Sequence, residues 1–66
     1  MIKSELNKGK KVTFIFDDGT KHVYIKEGKG YRRTVKGVNT YSVFIPSKLI
    51  DFELKIDQEE AAVISC

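Results

Sequence analysis

The chain has 66 residues, 32% of them charged, with a formal net charge of +3 and a pI near 9.1. Such a short chain builds one domain and buries only about 60% of the surface that its unfolded form exposes. A core of this size rarely gives more than about 3–5 kcal/mol without a disulfide, a metal or self-association. The only cysteine, Cys66, excludes an internal disulfide, so stability must come from packing or association.

No apolar run approaches the ~20 residues that a membrane-spanning helix needs. Residues 1–11, MIKSELNKGKK, lack the apolar centre of a secretory signal. We therefore expect a soluble, cytoplasmic protein with no membrane partner.

The basic charge lies in the N-terminal half of the chain. From Lys8 to Lys36 there are seven Lys and two Arg against three acidic residues, whereas Asp51 to Glu60 holds five acidic residues and one Lys. A charge of +3 is common to nucleic-acid-binding proteins and ordinary Lys-rich proteins, so its distribution is more informative than its size.

The first predicted elements are an N-terminal arm, residues 1–10, and a strand from Lys11 to Phe16 with Val12, Phe14 and Phe16 on one side. Asp18-Gly19 follows, and this dipeptide between alternating apolar residues predicts a two-residue hairpin turn of type I′. That turn places Phe14 opposite Val23 and Val12 opposite Ile25. It leaves His22, Tyr24 and Lys26 on the outer face.

A second hairpin is predicted after the Gly-containing connection Glu27–Gly30. The strand Tyr31–Val35 and a loop of three residues, Gly37–Asn39, set Val35 opposite Tyr41 and Tyr31 opposite Ile45. Asn39 is expected in the left-handed conformation, which Asn tolerates better than most residues.

The next strand, Tyr41–Ile45, must end at Pro46, which has no N–H for a central ladder. Residues 47–49 suffice for one helical turn. The strict alternation of Ile50–Asp57 then predicts a last strand. Residues 58–66 are expected to be a tail, an extra strand or a contact with another copy of the chain.

These elements predict an all-β domain over residues 11–57, a small five-stranded antiparallel barrel with one short helical turn before the last strand. A barrel removes the exposed edges that a flat sheet would leave. The residues predicted to point inward are Val12, Phe14, Val23, Ile25, Val43, Ile45, Phe52 and Leu54.

The segment Phe44–Ile50, FIPSKLI, resembles the end of a Src-homology-three domain, where a strand, a Pro-Ser pair, a helical turn and a last strand follow in this order. The resemblance implies the barrel topology of that family. It does not imply the family's ligand, because the tryptophans that bind proline-rich peptides are absent.

Catalysis is not predicted. The only histidine is His22 and the only cysteine is the last residue, so no nucleophile and base can be paired. Turn formation explains Asp17 and Asp18 without a metal. Gly28-Lys29-Gly30 lacks the strand-to-helix context of a phosphate loop. We therefore expect a non-enzymatic protein with no cofactor and no metal.

Basic residues interleaved with tyrosines favour nucleic-acid binding, because rings can stack on bases while cations contact phosphates. The predicted site consists of Tyr24, Lys26, Lys29, Tyr31, Arg32, Arg33, Lys36 and Tyr41. The structural alternative is that the tyrosines cap the core and the lysines only solubilise the strands.

The alternative function is a protein-binding adaptor or inhibitor, of the kind that phages and plasmids encode, acting on a host protein. It would use an edge strand, the acidic stretch Asp51–Glu60 or the C-terminal tail, Ala61–Cys66. The tail could also join copies of the chain into a homo-oligomer.

Overall fold

A computed structural model of the protein describes residues 2–65. Its helices and strands are α1 (Ile2–Asn7), β1 (Val12–Ile15), β2 (Lys21–Glu27), β3 (Gly30–Lys36), β4 (Tyr41–Pro46), α2 (Ser47–Glu60) and β5 (Val63–Ser65). The five strands form one antiparallel sheet in the order β4-β3-β2-β1-β5.

The sheet has two free edges, β4 and β5, and is not closed. The predicted antiparallel sheet is therefore confirmed, whereas the closed barrel and the Src-homology-three topology are not. β1 pairs with β2 on one side and with β5 on the other. The strand β5 lies in the segment that was predicted to be a tail or an extra strand.

The β1–β2 turn differs from the prediction by one residue. Phe16 N–H donates to the Thr20 carbonyl and Gly19 N–H to the Phe16 carbonyl, both at 2.9 Å, so the loop has three residues. Only Gly19, at φ 88°, is left-handed there, whereas a type I′ turn needs two such residues. The Asp18 carboxylate also accepts the Thr20 N–H at 2.9 Å, which stabilises the longer loop.

This shift reverses the predicted faces of β2. Phe14 pairs with His22 and Val12 with Tyr24, so His22 and Tyr24 share a face with the core residues of β1. The prediction that both residues lie on the outer face was wrong. A one-residue change of register moves every side chain of a strand to the other face.

The next two turns join β2 to β3 and β3 to β4. Gly28 and Lys29 form a two-residue turn, and a positive φ at Gly28 alone (55°) is the pattern of type II′. In the β3–β4 hairpin, Val35 pairs with Tyr41 and Tyr31 with Ile45, as predicted. The prediction of a left-handed conformation for Asn39 was wrong, because no residue other than glycine has a positive φ among residues 2–65.

The predicted last strand is instead the helix α2. Its buried residues Ile50, Leu54 and Asp57 have the spacing of one helical face. A second apolar set, Leu49 and Phe52, is exposed at 45% and 62%. The period-2 pattern at 50, 52, 54 and 56 therefore combined residues from two sides of a helix, and it imitated a strand.

The core lies between one face of the sheet and the two helices. It contains Leu6, Val12, Phe14, Tyr24, Tyr31, Ile45, Ile50 and Leu54, with Val35 also buried. Of the eight residues predicted to point inward, Val12, Phe14, Ile45 and Leu54 are buried. The prediction was wrong for Ile25, Val43 and Phe52, which are exposed, and Val23 is only half-buried.

No helix in the part of the chain that the structure describes has the length and apolar character that crossing a membrane requires.

Candidate functional site

The sheet has one face that no helix of residues 2–65 packs on, and we call it the open face. This face carries Thr13 of β1, and the cross-strand partners of Thr13, Val23 and Thr34 lie on it too. Side chains alternate between the two faces of a sheet, so every second residue along each strand belongs to the same face. Its members are Thr13, Ile15, Lys21, Val23, Ile25, Glu27, Arg32, Thr34, Lys36, Ser42, Phe44, Val63 and Ser65.

Two lysines lie side by side on the open face. Lys21 and Lys36 are cross-strand partners, and both are exposed. Neither forms an ion pair with any described acidic residue. Like charges directly opposite each other destabilise a sheet, and an anion bound between them would remove this repulsion.

Arg32 and Phe44 form a second part of the open face. The two are cross-strand partners, and the guanidinium carbon of Arg32 lies 5.7 Å from the centre of the Phe44 ring. Glu27 accepts two hydrogen bonds from Arg32, at 2.6 and 3.1 Å, and this contact lowers the pKa of the Glu27 carboxyl. Arg32 is thus oriented beside an exposed ring.

The Phe44 ring lies over Gly30, which has no side chain. A Cβ on Gly30 would lie 2.5 Å from the ring and 2.6 Å from the Ile45 carbonyl oxygen. The ring remains 44% exposed while it covers this backbone. An aromatic ring with an exposed surface of this kind can stack against a planar ligand.

The structure does not bring the eight predicted nucleic-acid-binding residues to one surface. Tyr24 and Tyr31 are 0% and 3% exposed on the helix-covered face, so their rings are not available for stacking on bases. The Tyr31 hydroxyl donates to the Asn7 side chain at 2.7 Å. These two tyrosines follow the structural alternative, in which the rings belong to the core.

Arg33 and Lys26 also lie on the helix-covered face. Arg33 pairs with Glu53 of α2 at 2.7 Å, whereas its neighbour Arg32 points to the open face. Lys26 lies 5.0 Å from the centre of the Tyr31 ring and donates to the Gly28 carbonyl at 2.7 Å. Both cations are therefore engaged within the chain.

The remaining predicted residues are accessible. Lys29 lies in the β2–β3 turn, Lys36 and Arg32 are on the open face, and Tyr41 is 56% exposed on edge strand β4. The sequence reasoning missed Lys21 and Phe44 as members of this surface. The signal for Phe44 was present, because the predicted β3–β4 pairing places it directly opposite Arg32.

A polar network connects α2 with the helix-covered face of the sheet. The buried Asp57 accepts hydrogen bonds from the Tyr24 hydroxyl at 2.5 Å and contacts His22 Nδ1 at 2.8 Å. Burial raises the pKa of the Tyr24 hydroxyl far above its usual value, and the bond to Asp57 acts in the same direction. His22, predicted to be an exposed strand residue, is thus a partly buried partner of a carboxylate.

This network pairs a histidine with a buried carboxylate, an arrangement that also occurs where a histidine acts as a base. His22 opens on a shallow cleft of about 410 Å³ with Phe16, Asp17, Asp18, Thr20 and Glu60. In this cleft Asp18 already binds the Thr20 backbone. Across residues 2–65 no group of three His, Cys, Asp or Glu side chains is placed to hold a metal ion.

Comparison with models of protein families, with curated proteins and with solved structures finds no match for this chain.

Proposed function

We propose that the protein binds single-stranded nucleic acid on the open face of its sheet, without catalysis. The observation that carries the proposal is the unpaired cross-strand lysine pair, Lys21 and Lys36, on the same face as Arg32 and the exposed Phe44 ring. Phosphates would lie between the two ammonium groups, and a base would stack on Phe44.

The separation of charge on the molecule supports this choice of face. The open face carries three cations and one carboxylate, Glu27. The acidic residues of the C-terminal half lie on α2, on the other side of the sheet. A phosphate backbone is therefore attracted to one side of the molecule and repelled from the other.

A flat sheet surface suits single strands better than duplexes. No helix of the described chain projects from the open face to enter a major groove. Exposed rings on a sheet meet unpaired bases, which present their faces for stacking.

The test is the affinity of a fluorescein-labelled oligothymidylate of about 20 nucleotides, measured by anisotropy over a range of salt concentrations. Changing Lys21 and Lys36 together to Ala should weaken binding at least about tenfold at low salt and reduce the salt slope by about 1.4, since each phosphate contact on a single strand contributes about 0.7. Phe44→Leu keeps an apolar cover over Gly30 and should also weaken binding, because stacking on a ring contributes about 1–3 kcal/mol per base.

The matched control is the double change Lys48→Ala and Lys55→Ala. These two lysines are exposed on α2 and their removal lowers the net charge by the same amount. The control should retain most of the affinity. Equal losses in the two double variants would mean that only net charge matters, and no binding by the wild type would refute the proposal.

A protein partner is the second candidate, and one observation favours it. Edge strand β4 has no charged residue, whereas edge strands that avoid pairing usually carry charges. A pull-down from cell extract with and without nuclease separates the two functions. Nucleic-acid binding predicts that the captured material disappears after nuclease treatment, and a direct protein partner predicts that it remains.

A further inference from the structure

Two ends of the open face, separated along β3, differ in their chemistry. At one end, Lys21 and Lys36 present two ammonium groups that no described carboxylate neutralises. At the other end, Arg32 is bound by Glu27 and lies beside the exposed Phe44 ring. The first end therefore attracts a phosphate, whereas the second end, where the charges cancel, presents a ring for stacking on a base.

The distance between the two ends exceeds what one nucleotide spans. Lys36 and Arg32 are four residues apart on β3, which is about 13 Å at a rise of about 3.3 Å per residue. At about 3.4 Å per nucleotide along a stacked strand, this distance corresponds to about four nucleotides, and to fewer when the strand is extended. The phosphate at one end and the base at the other must therefore belong to different nucleotides.

The surface between the two ends is uncharged and carries hydroxyl groups. Thr34 of β3 and Ser42 of β4 are cross-strand partners, and they lie midway between the two ends. Side-chain hydroxyls commonly donate to phosphate and sugar oxygens. Glu27 lies beyond Arg32 and not between the ends, so this path crosses no carboxylate of the described open face.

The opposite direction across the open face has no second contact of this kind. From Lys21 the row of cross-strand partners continues to Ile15 of β1 and Val63 of β5. These two side chains have neither a ring nor a charge. A nucleic-acid strand that leaves the lysine pair therefore finds its next favourable contacts along β3 and β4.

We infer that the open face binds a single strand of at least about four nucleotides laid along β3, with a phosphate between Lys21 and Lys36 and the base of another nucleotide on Phe44. This inference rests on the proposed function and adds the length and the path of the ligand. A mononucleotide or dinucleotide occupies one end only, so it binds weakly.

The first experiment measures how unlabelled oligothymidylates displace the fluorescein-labelled oligothymidylate from the full chain at low salt. The competitors are the dinucleotide, whose single phosphate adjoins both bases, and the tetranucleotide. The tetranucleotide should bind the wild type at least about tenfold more tightly, because only it contacts the lysine pair and the ring together. Phe44→Leu should weaken the tetranucleotide at least about fivefold and the dinucleotide less than about twofold.

The matched control for the ring is Phe52→Leu. Phe52 is 62% exposed on α2, on the other side of the sheet, so both affinities should stay at the wild-type level. Equal affinities of the wild type for the two competitors would overturn the inference. Equal losses of both affinities in Phe44→Leu would do the same, because one ligand would then not connect the ring with the lysines.

The second experiment places a charge on the path. Ser42 is exposed midway between the two ends, so Ser42→Glu should weaken the tetranucleotide at least about fivefold by repelling its phosphates. Ser42→Lys should strengthen binding, a result that loss of folding cannot produce.

The matched controls for the path are Ser65→Glu and Ser65→Lys. Ser65 is an exposed serine in the same row of the open face, but it lies on β5, three strands from β3 and about 14 Å away at about 4.8 Å per strand. Both variants should change the affinity for the tetranucleotide less than about twofold. Equal effects of the same charge at Ser42 and Ser65 would overturn the path along β3.

The proposed function and this inference fail in different ways. If the labelled oligothymidylate does not bind the wild type, both are refuted. If it binds, but the tetranucleotide gains nothing over the dinucleotide or the two serine positions respond alike, the proposed function stands and the inference about length and path is wrong.

Discussion

Position 30 requires glycine because there is no room for a side chain, and not because of the backbone conformation. Its φ is not positive, so an alanine can adopt the same backbone. The added Cβ would, however, lie 2.6 Å from the Ile45 carbonyl oxygen and 2.5 Å from the Phe44 ring. The carbonyl belongs to the paired neighbouring strand and cannot move away independently.

Gly30→Ala should therefore destabilise the protein by about 1–3 kcal/mol, the usual cost of overpacking. Urea denaturation measures the change. Gly37→Ala is the matched control, because its Cβ would meet only the Thr20 side chain at an ordinary 3.5 Å. A loss for Gly37→Ala equal to that for Gly30→Ala would show that space over Gly30 is not the cause.

Because Tyr24 and Asp57 form a buried pair, the free energy of unfolding varies with pH in the alkaline range. The raised pKa of the Tyr24 hydroxyl means that the folded state keeps the proton above pH 10.0, where a free tyrosine loses it. The contribution is complete below that value and is lost as the pH rises further. Above pH 10.0 the Tyr24 hydroxyl of the unfolded chain loses its proton, whereas that of the folded chain keeps it.

We expect the free energy of unfolding of the wild type to fall as the pH rises from about 10 to 12, and that of Tyr24→Phe to fall less over the same range. Tyr41→Phe, which changes a 56% exposed tyrosine, should keep the wild-type slope. Denaturation curves at each pH give the slopes, and identical slopes in all three proteins would contradict this role of Tyr24.

At the scale of elements, α2 is stabilised by packing rather than by its own sequence. It has no acidic residue in its first turn and no basic residue in its last turn. Its last turn instead contains the acidic residues Glu59 and Glu60. This arrangement opposes the helix dipole. Contacts of Ile50, Leu54 and Asp57 with the sheet must therefore provide most of its stability.

Leu54 and Phe52 lie on different sides of the helix α2, so substituting them should change stability by unequal amounts. The predicted strand placed both side chains on the inner face, where the two substitutions would have similar effects. Leu54→Ala, at a 5% exposed position, should cost about 2–5 kcal/mol. Phe52→Ala, at a 62% exposed position, should change stability by less than about 1 kcal/mol. Urea denaturation measures both losses, and equal losses would contradict the helix.

Local sequence was informative where turn chemistry and pairing agreed. The β3–β4 register followed from apolar residues on both strands, and Pro46 correctly ended β4. The β1–β2 register was wrong because Asp18-Gly19 fits two turn types, and a hydrogen bond from Thr20 to Asp18 favours the longer one. The helix α2 was missed because its pattern also fits a strand, and only packing against the sheet separates the two.

At the scale of the whole molecule, the candidate site depends on which side of the sheet the helices occupy. The sequence indicated the basic character of β2 and β3 but not which residues share a face. With the corrected register, Tyr24 moved into the core and Lys21 joined Lys36 on the open face. An error of one residue in one turn was therefore enough to mix the residues of two surfaces.

The strand order also determines how the chain assembles. β1 to β4 form three successive hairpins, whose contacts are close in sequence. The strand β5 instead joins β1 across about fifty residues, through three paired positions. Because loop closure costs more entropy for distant contacts than for near ones, we expect the pairing of β5 with β1 to form last during folding.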